Sequence, residues 1–79
     1  MIKKDEARSI AEKFLDENIR PRISHEVVIV DCAVEDRADC WFFPYNGRGY
    51  LERDDFTEIM AGNLPILVNK ETGAVGYER

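Results

Sequence analysis

Histidine occurs once in this chain, at His25, and cysteine twice, at Cys32 and Cys40. The side chains that most often carry nucleophilic, acid–base or metal chemistry are therefore nearly missing. Two cysteines are too few for a disulfide scaffold, so a reducing cytoplasm is the expected setting. No apolar run approaches the ~20 residues that cross a bilayer. Met1-Ile2-Lys3-Lys4-Asp5-Glu6 turns polar within a few residues, so a secretory leader is not expected. Basic residues are also short: 11 against 16 acidic, for a net charge of −5. Residues 1–22 hold six basic and five acidic side chains, whereas residues 23–79 hold five and eleven. Such a surface repels phosphates and disfavours nucleic acid, while it can steer a basic protein partner. The plain alternative is that excess acid keeps a small protein soluble.

What is present fits one domain over residues 1–79, with 44% hydrophobic and 34% charged residues. On per-residue scaling such a domain has a net stability of about 4–12 kcal/mol. Ala7, Ile10, Ala11, Phe14 and Leu15 recur at helical spacing and predict an amphipathic N-terminal helix that stops before Pro21. One apolar stripe cannot hold a short helix alone, so it is expected to lie on a sheet. Val27-Val28-Ile29-Val30 reads as an interior strand buried on both faces, continuing half-exposed through Asp31-Cys32-Ala33-Val34-Glu35. A polar connection over Glu35–Asp39 leads to Cys40–Tyr45, with Trp41, Phe43 and Tyr45 on one face and Pro44 marking an edge, bulge or bend.

Asn46-Gly47 is a strong hairpin signal and predicts a return strand at Tyr50-Leu51-Glu52. The stretch from Asp54 to Gly62 reads either as a brief helical turn or as an irregular loop. For the turn, Asp55 and Glu58 have capping-box spacing, Phe56, Ile59 and Met60 share a face, and Gly62 closes it. Pro65–Asn69 is a strand, Lys70–Gly73 a turn and Ala74–Glu78 the closing strand. The predicted fold class is α+β: the N-terminal helix packed on one face of a small antiparallel sheet of about four to five strands.

Catalytic sets are sparse. A Cys–His pair needs a thiolate within hydrogen-bond reach of an oriented histidine, yet seven strand residues, more than about 20 Å, separate His25 from Cys32. Both cysteines read as small apolar core residues. Two cysteines at C-x7-C spacing and one histidine match no zinc template. Facing each other across a hairpin, the two thiols could reach bonding distance, but in a reducing cell they stay thiols. Asn46-Gly47-Arg48-Gly49 lacks the lysine and the strand-to-helix setting of a phosphate loop. Acidic residues cluster at Asp31, Glu35, Asp36 and Asp39, and again at Glu52, Asp54, Asp55 and Glu58. These read as solvated surface, as a partner-binding patch, or as a carboxylate pair for acid–base work, the last needing a raised pKa that turns rarely sustain. Trp41 and Phe43 are assigned to the core, and Tyr45 and Tyr50, beside the Asn-Gly turn, to the surface, where tyrosine favours interfaces.

Trp41-Phe42-Phe43-Pro44-Tyr45-Asn46, Tyr50-Leu51-Glu52, then Ala61-Gly62-Asn63-Leu64-Pro65-Ile66-Leu67-Val68-Asn69-Lys70 and Thr72-Gly73-Ala74-Val75 together resemble the immunity protein 35 family, also called YrhB-like. The likeness spans nearly the whole chain and is most specific in the A-G-N-x-P-I-L-V segment with its following T-G turn. Leu64 departs from it, standing where such proteins often have glycine. The resemblance implies a bacterial cytoplasmic protein that binds and neutralises a cognate polymorphic toxin, with no catalytic residues; from the residues themselves no cofactor or metal is expected. It also brings a second reading, a chaperone-like holdase or accessory protein that binds unfolded or multiple partners. A small enzyme built on the acidic cluster is the third. The residues expected to touch a partner are Asp36, Asp39, Tyr45, Tyr50, Asp54 and Asp55. The expected partner is a protein toxin, without nucleic acid or membrane, and a homodimer is left open.

Overall fold

The computed structural model describes residues 1–60 and 63–78. Its first element, α1 (Lys4–Asn18), follows the apolar stripe: Ala7, Ala11 and Leu15 are buried, and Ile10 and Phe14 pack beside them. Asp5 and Glu6 in the first turn suit the positive end of the helix dipole. The helix stops at Asn18, and Pro21 lies in the 3-10 turn Arg20–Arg22 that follows, where its missing N–H costs nothing. Arg20 ties this end down. Its guanidinium donates to the Val27 carbonyl at 2.7 and 3.1 Å, to Asp16 at 2.8 Å and to Glu12 at 3.2 Å, which joins the helix to the first strand.

The described residues form six strands, β1 (Val27–Ile29), β2 (Glu35–Asp36), β3 (Cys40–Phe43), β4 (Tyr45–Gly47), β5 (Ile66–Asn69) and β6 (Val75–Tyr77). They fall into two antiparallel sheets, β1-β4 and β2-β3-β5-β6. The α+β class and the covering helix agree with expectation, while the sheet is divided. Pro44 is the reason. Lacking an N–H, it interrupts a Cys40–Gly47 run, and the chain passes there from the four-stranded sheet into the two-stranded one. Its carbonyl accepts from Val30 N at 2.9 Å and so extends the β1-β4 ladder.

β1 consequently pairs with a single neighbour, and Val28 and Val30 are half-exposed, not buried on both faces. The predicted strand through Asp31–Glu35 is also replaced. Asp31–Ala33 forms a 3-10 turn, with Asp31 held to α1 by both Nε and Nη2 of Arg8 at 2.8 and 3.0 Å. That turn redirects the chain to the edge of the second sheet.

The core sits between α1 and the sheets. Phe43, Ile66 and Val68 from one sheet and Val27, Ile29 and Tyr45 from the other meet Ala7, Ala11 and Leu15. Small residues at positions 7 and 11 let the helix approach closely. Register sets which side chains arrive: Phe43 opposes Ile66 and Trp41 opposes Val68, so alternate residues of β3 and β5 share the helix-facing side. At its rim Phe14 meets Tyr77 edge to face, ring centroids 5.1 Å apart. Trp41 donates its indole N–H to the Ile2 carbonyl at 3.0 Å and carries the Lys70 ammonium 4.7 Å from its ring centre.

Candidate functional site

The segment after β4 is where sequence expectation and structure part most. Asn46-Gly47 makes no hairpin, and Tyr50-Leu51-Glu52 makes no strand. A two-residue hairpin needs positive φ at its turn, whereas Gly47 has φ −67° and stands in extended backbone. Its partner strand is β1, upstream, and Arg48 N donates to Glu26 O at 2.9 Å to prolong that pairing. The chain then enters α2 (Arg48–Arg53), which contains the helix formers Leu51, Glu52 and Arg53 and an Arg48–Glu52 pair at i,i+4 spacing, 3.0 Å. Asp54 closes it in the left-handed region at φ 53°.

A 3-10 turn, Phe56–Glu58, follows at once. Of the two readings of this stretch, a short helical turn is present, and Ala61 and Gly62, its suggested end, lie outside the described residues. Asp55 is its cap: one carboxylate oxygen accepts from Thr57 N at 3.1 Å and from the Thr57 hydroxyl at 2.6 Å. Those two bonds hold the Asp55 carboxyl below its ordinary value of 3.8. Glu58, at the capping-box position, turns elsewhere. Its carboxylate accepts from Gly49 N at 3.0 Å and lies 3.4 Å from Arg53 Nη2 and 3.9 Å from His25 Nδ1.

Two glycines admit this docking. A Cβ on Gly47 would overlap the Glu58 carbonyl, and one on Gly49 would overlap the Glu58 carboxylate. Asn46 completes the bracket, its Oδ1 accepting from Gly47 N at 2.8 Å and Met60 N at 2.9 Å. The Asn-Gly pair thus serves as a seat for a later turn.

The result is a small, braced apex. Phe56 stands 73% exposed on the 3-10 turn, with Leu51 (42%) on α2 and Ile59 (40%) just after the turn. Tyr50 is half-buried, its ring centre 6.0 Å from that of Phe56. Glu52 and Asp54 are exposed alongside, and Asp55 is half-buried.

The six residues expected to touch a partner are not brought together. Tyr50, Asp54 and Asp55 belong to this apex. Asp36 and Asp39 lie at the β2–β3 turn, where Asp36 pairs with the Lys70 ammonium and the Asp39 carbonyl accepts from Lys70 N at 3.0 Å. Tyr45 is only 4% exposed, so its surface assignment is overturned. One residue after Pro44, it faces the core with Phe43, and burial, with a smaller effect from Tyr77, pushes its phenol above 10. Trp41 is half-buried, and Phe43 is fully buried as expected.

Phe56 was legible only as an apolar residue on a helical face. Its position between Asp54-Asp55 and Thr57, in a turn too short to build an apolar stripe, was the signal for exposure.

The cysteines are also relocated. Cys32 is exposed on the 3-10 turn Asp31–Ala33 and Cys40 is half-buried on β3; both are free thiols, and neither lies in the buried core. Among the described residues, no three His, Cys, Asp or Glu side chains gather where they could hold a metal ion. No described helix is long and apolar enough to cross a membrane.

Compared with family models, residues 5–77 match the one described as Immunity protein 35. Searches of curated proteins and of solved structures return no match. A match that leaves out only the first four and last two residues shows the family, and the chain belongs to the immunity protein 35 family.

Proposed function

We propose that this chain is a cytoplasmic immunity protein that binds a cognate bacterial polymorphic toxin and neutralises it by occlusion, without catalysis. The carrying observation is membership of an immunity-protein family over residues 5–77. The physical support is a surface suited to binding: a net charge of −5 and a braced apolar apex at Phe56. Blocking an active site takes about 800 Å² on each partner, which a domain of this size can supply. Tyr50, Asp54 and Asp55 are the proposed contact residues at the apex, with Asp36 and Asp39 forming a separate acidic contact at the β2–β3 turn.

The test is co-expression with the polypeptide encoded beside this gene. Cells that stop growing when that polypeptide is made alone, and recover when this chain is made with it, support the reading, provided the two co-purify. A neighbour that is neither toxic nor co-purified removes it. The exposed Phe56 also favours a second reading, a holdase that grips unfolded chains through apolar surface. That reading predicts suppressed aggregation of unrelated heated proteins and no single tight partner.

A further inference from the structure

Of the six large apolar side chains exposed among the described residues, three, Leu51, Phe56 and Ile59, come from one stretch running from α2 to just past the 3-10 turn, while Met1, Leu64 and Tyr77 lie elsewhere; Phe56 is the most exposed of the three. A singly exposed apolar residue is ordinary on a protein surface; what sets Phe56 apart is 73% exposure on a segment pinned by hydrogen bonds. The backbone holding it is not free to fold it away. Asp55 N donates to Gly49 O at 3.2 Å, Glu58 N to Asp55 O at 3.0 Å, Gly49 N to the Glu58 carboxylate and Met60 N to the Asn46 amide oxygen. A segment whose backbone is already fixed loses less entropy on docking than a free loop would.

The surrounding charge selects the occupant. Residues 48–60 carry two basic and four acidic side chains. Both arginines are engaged, Arg48 with Glu26 and Glu52, and Arg53 with Glu58. Among the described residues Asp54 makes no ion pair, and Asp55 is kept ionised by Thr57. An apolar knob with an acidic border complements an apolar cleft with a basic border. Apex-to-apex pairing of two copies would set like charges against each other, and an anionic lipid surface would be repelled for the same reason. We infer that Phe56, with Leu51 and Ile59 exposed on the same stretch of chain, inserts into an apolar cleft of a protein partner whose rim carries lysine and arginine, with Asp54 meeting that rim. This rests on the toxin-binding reading above and assigns its contact surface.

The experiment uses the full chain, with the polypeptide encoded beside its gene as probe. Phe56→Ala is expected to weaken binding about 30-fold or more, the range of an interface hot spot. Its thermal midpoint should stay at the wild-type value, because the ring is largely in water. Asp54→Asn keeps a residue that tolerates the left-handed backbone and removes only the charge. It should slow association severalfold at low salt, with the difference closing at about 0.5 M salt. If the wild type binds and Phe56→Ala binds within about threefold of it, the assignment is wrong while the toxin reading stands. If the wild type neither binds nor protects, both fall. Sedimentation showing a dimer that Phe56→Ala dissolves would replace the partner with a second copy. Phe56-dependent binding to phosphatidylserine vesicles would replace it with a membrane.

Discussion

At the scale of single residues, glycine is sterically required at one position on the sheets and not at another. Gly47 sits in ordinary extended backbone, so what matters is its missing side chain: a Cβ there would run into the Glu58 carbonyl and lie 3.0 Å from the Glu58 carbonyl carbon. Backbone cannot swing aside as a flexible side chain can. Gly47→Ala is therefore expected to cost about 2–3 kcal/mol through overpacking, read as a lower urea midpoint at unchanged slope. Gly76 is the contrast. It stands on β6 with nothing within 4 Å of an added Cβ, so Gly76→Ala should leave stability unchanged or raise it by up to about 1 kcal/mol. Equal losses at the two positions would refute the docking of Glu58 over β4.

At the scale of elements, Asn46 links parts that the hydrophobic pattern does not connect. Its side-chain oxygen satisfies Met60 N across 14 residues of chain, holding the segment behind the 3-10 turn against β4. Asn46→Ala leaves that half-buried N–H without a protein partner and should cost about 1–3 kcal/mol. Asn46→Asp retains an acceptor and should recover more than half of the loss at neutral pH. Amide exchange at Met60 provides the local readout, faster in the alanine variant and near wild type in the aspartate variant.

The hairpin expectation fails at this same scale. Asn-Gly signals a tight turn when its neighbours can pair with each other. Here β4 finds its partner upstream, and an element can choose a distant strand whenever that burial outweighs local turn chemistry. No periodicity in residues 45–53 records that choice.

At the scale of the whole molecule, the Arg8–Asp31 pair connects the outer side of α1 to the turn that carries the chain from one sheet to the other. The Arg8 hydrogen bond, chiefly, holds the Asp31 carboxyl below its ordinary 3.8 and raises the arginine correspondingly. A carboxyl depressed in the folded state contributes its stability above the unfolded value, near pH 4, and loses it as pH falls through the lower folded value. Urea midpoints of the wild type and Asp31→Asn should therefore differ at pH 6 and converge as pH drops towards 2. A gap that persists in acid would mean that packing, and not the ion pair, distinguishes the two. The pair is exposed on both sides, so the difference is expected to be small even at pH 6.

Local signals were enough for some of this architecture. The stripe Ala7–Leu15 determined a helix and the face it buries, Pro21 its end, and the β-branched and aromatic runs at 27–30, 40–43 and 66–69 three strands of the core. Each depends on periodicity or on a proline, properties a chain carries before it folds. The shortage of histidine and cysteine was equally plain, and so was the family resemblance in the aromatic and Pro-Ile-Leu-Val segments. The tertiary structure alone decided that Pro44 divides the strands between two sheets, that Tyr45 turns inward, and that Asn46-Gly47 seats a later turn. Those outcomes depend on pairings 14 to 20 residues apart in sequence, and no window of local pattern contains both partners. The apex at Phe56 belongs with them: its exposure follows from Glu58 being clasped by Gly47 and Gly49, a contact made only once β4 has found β1.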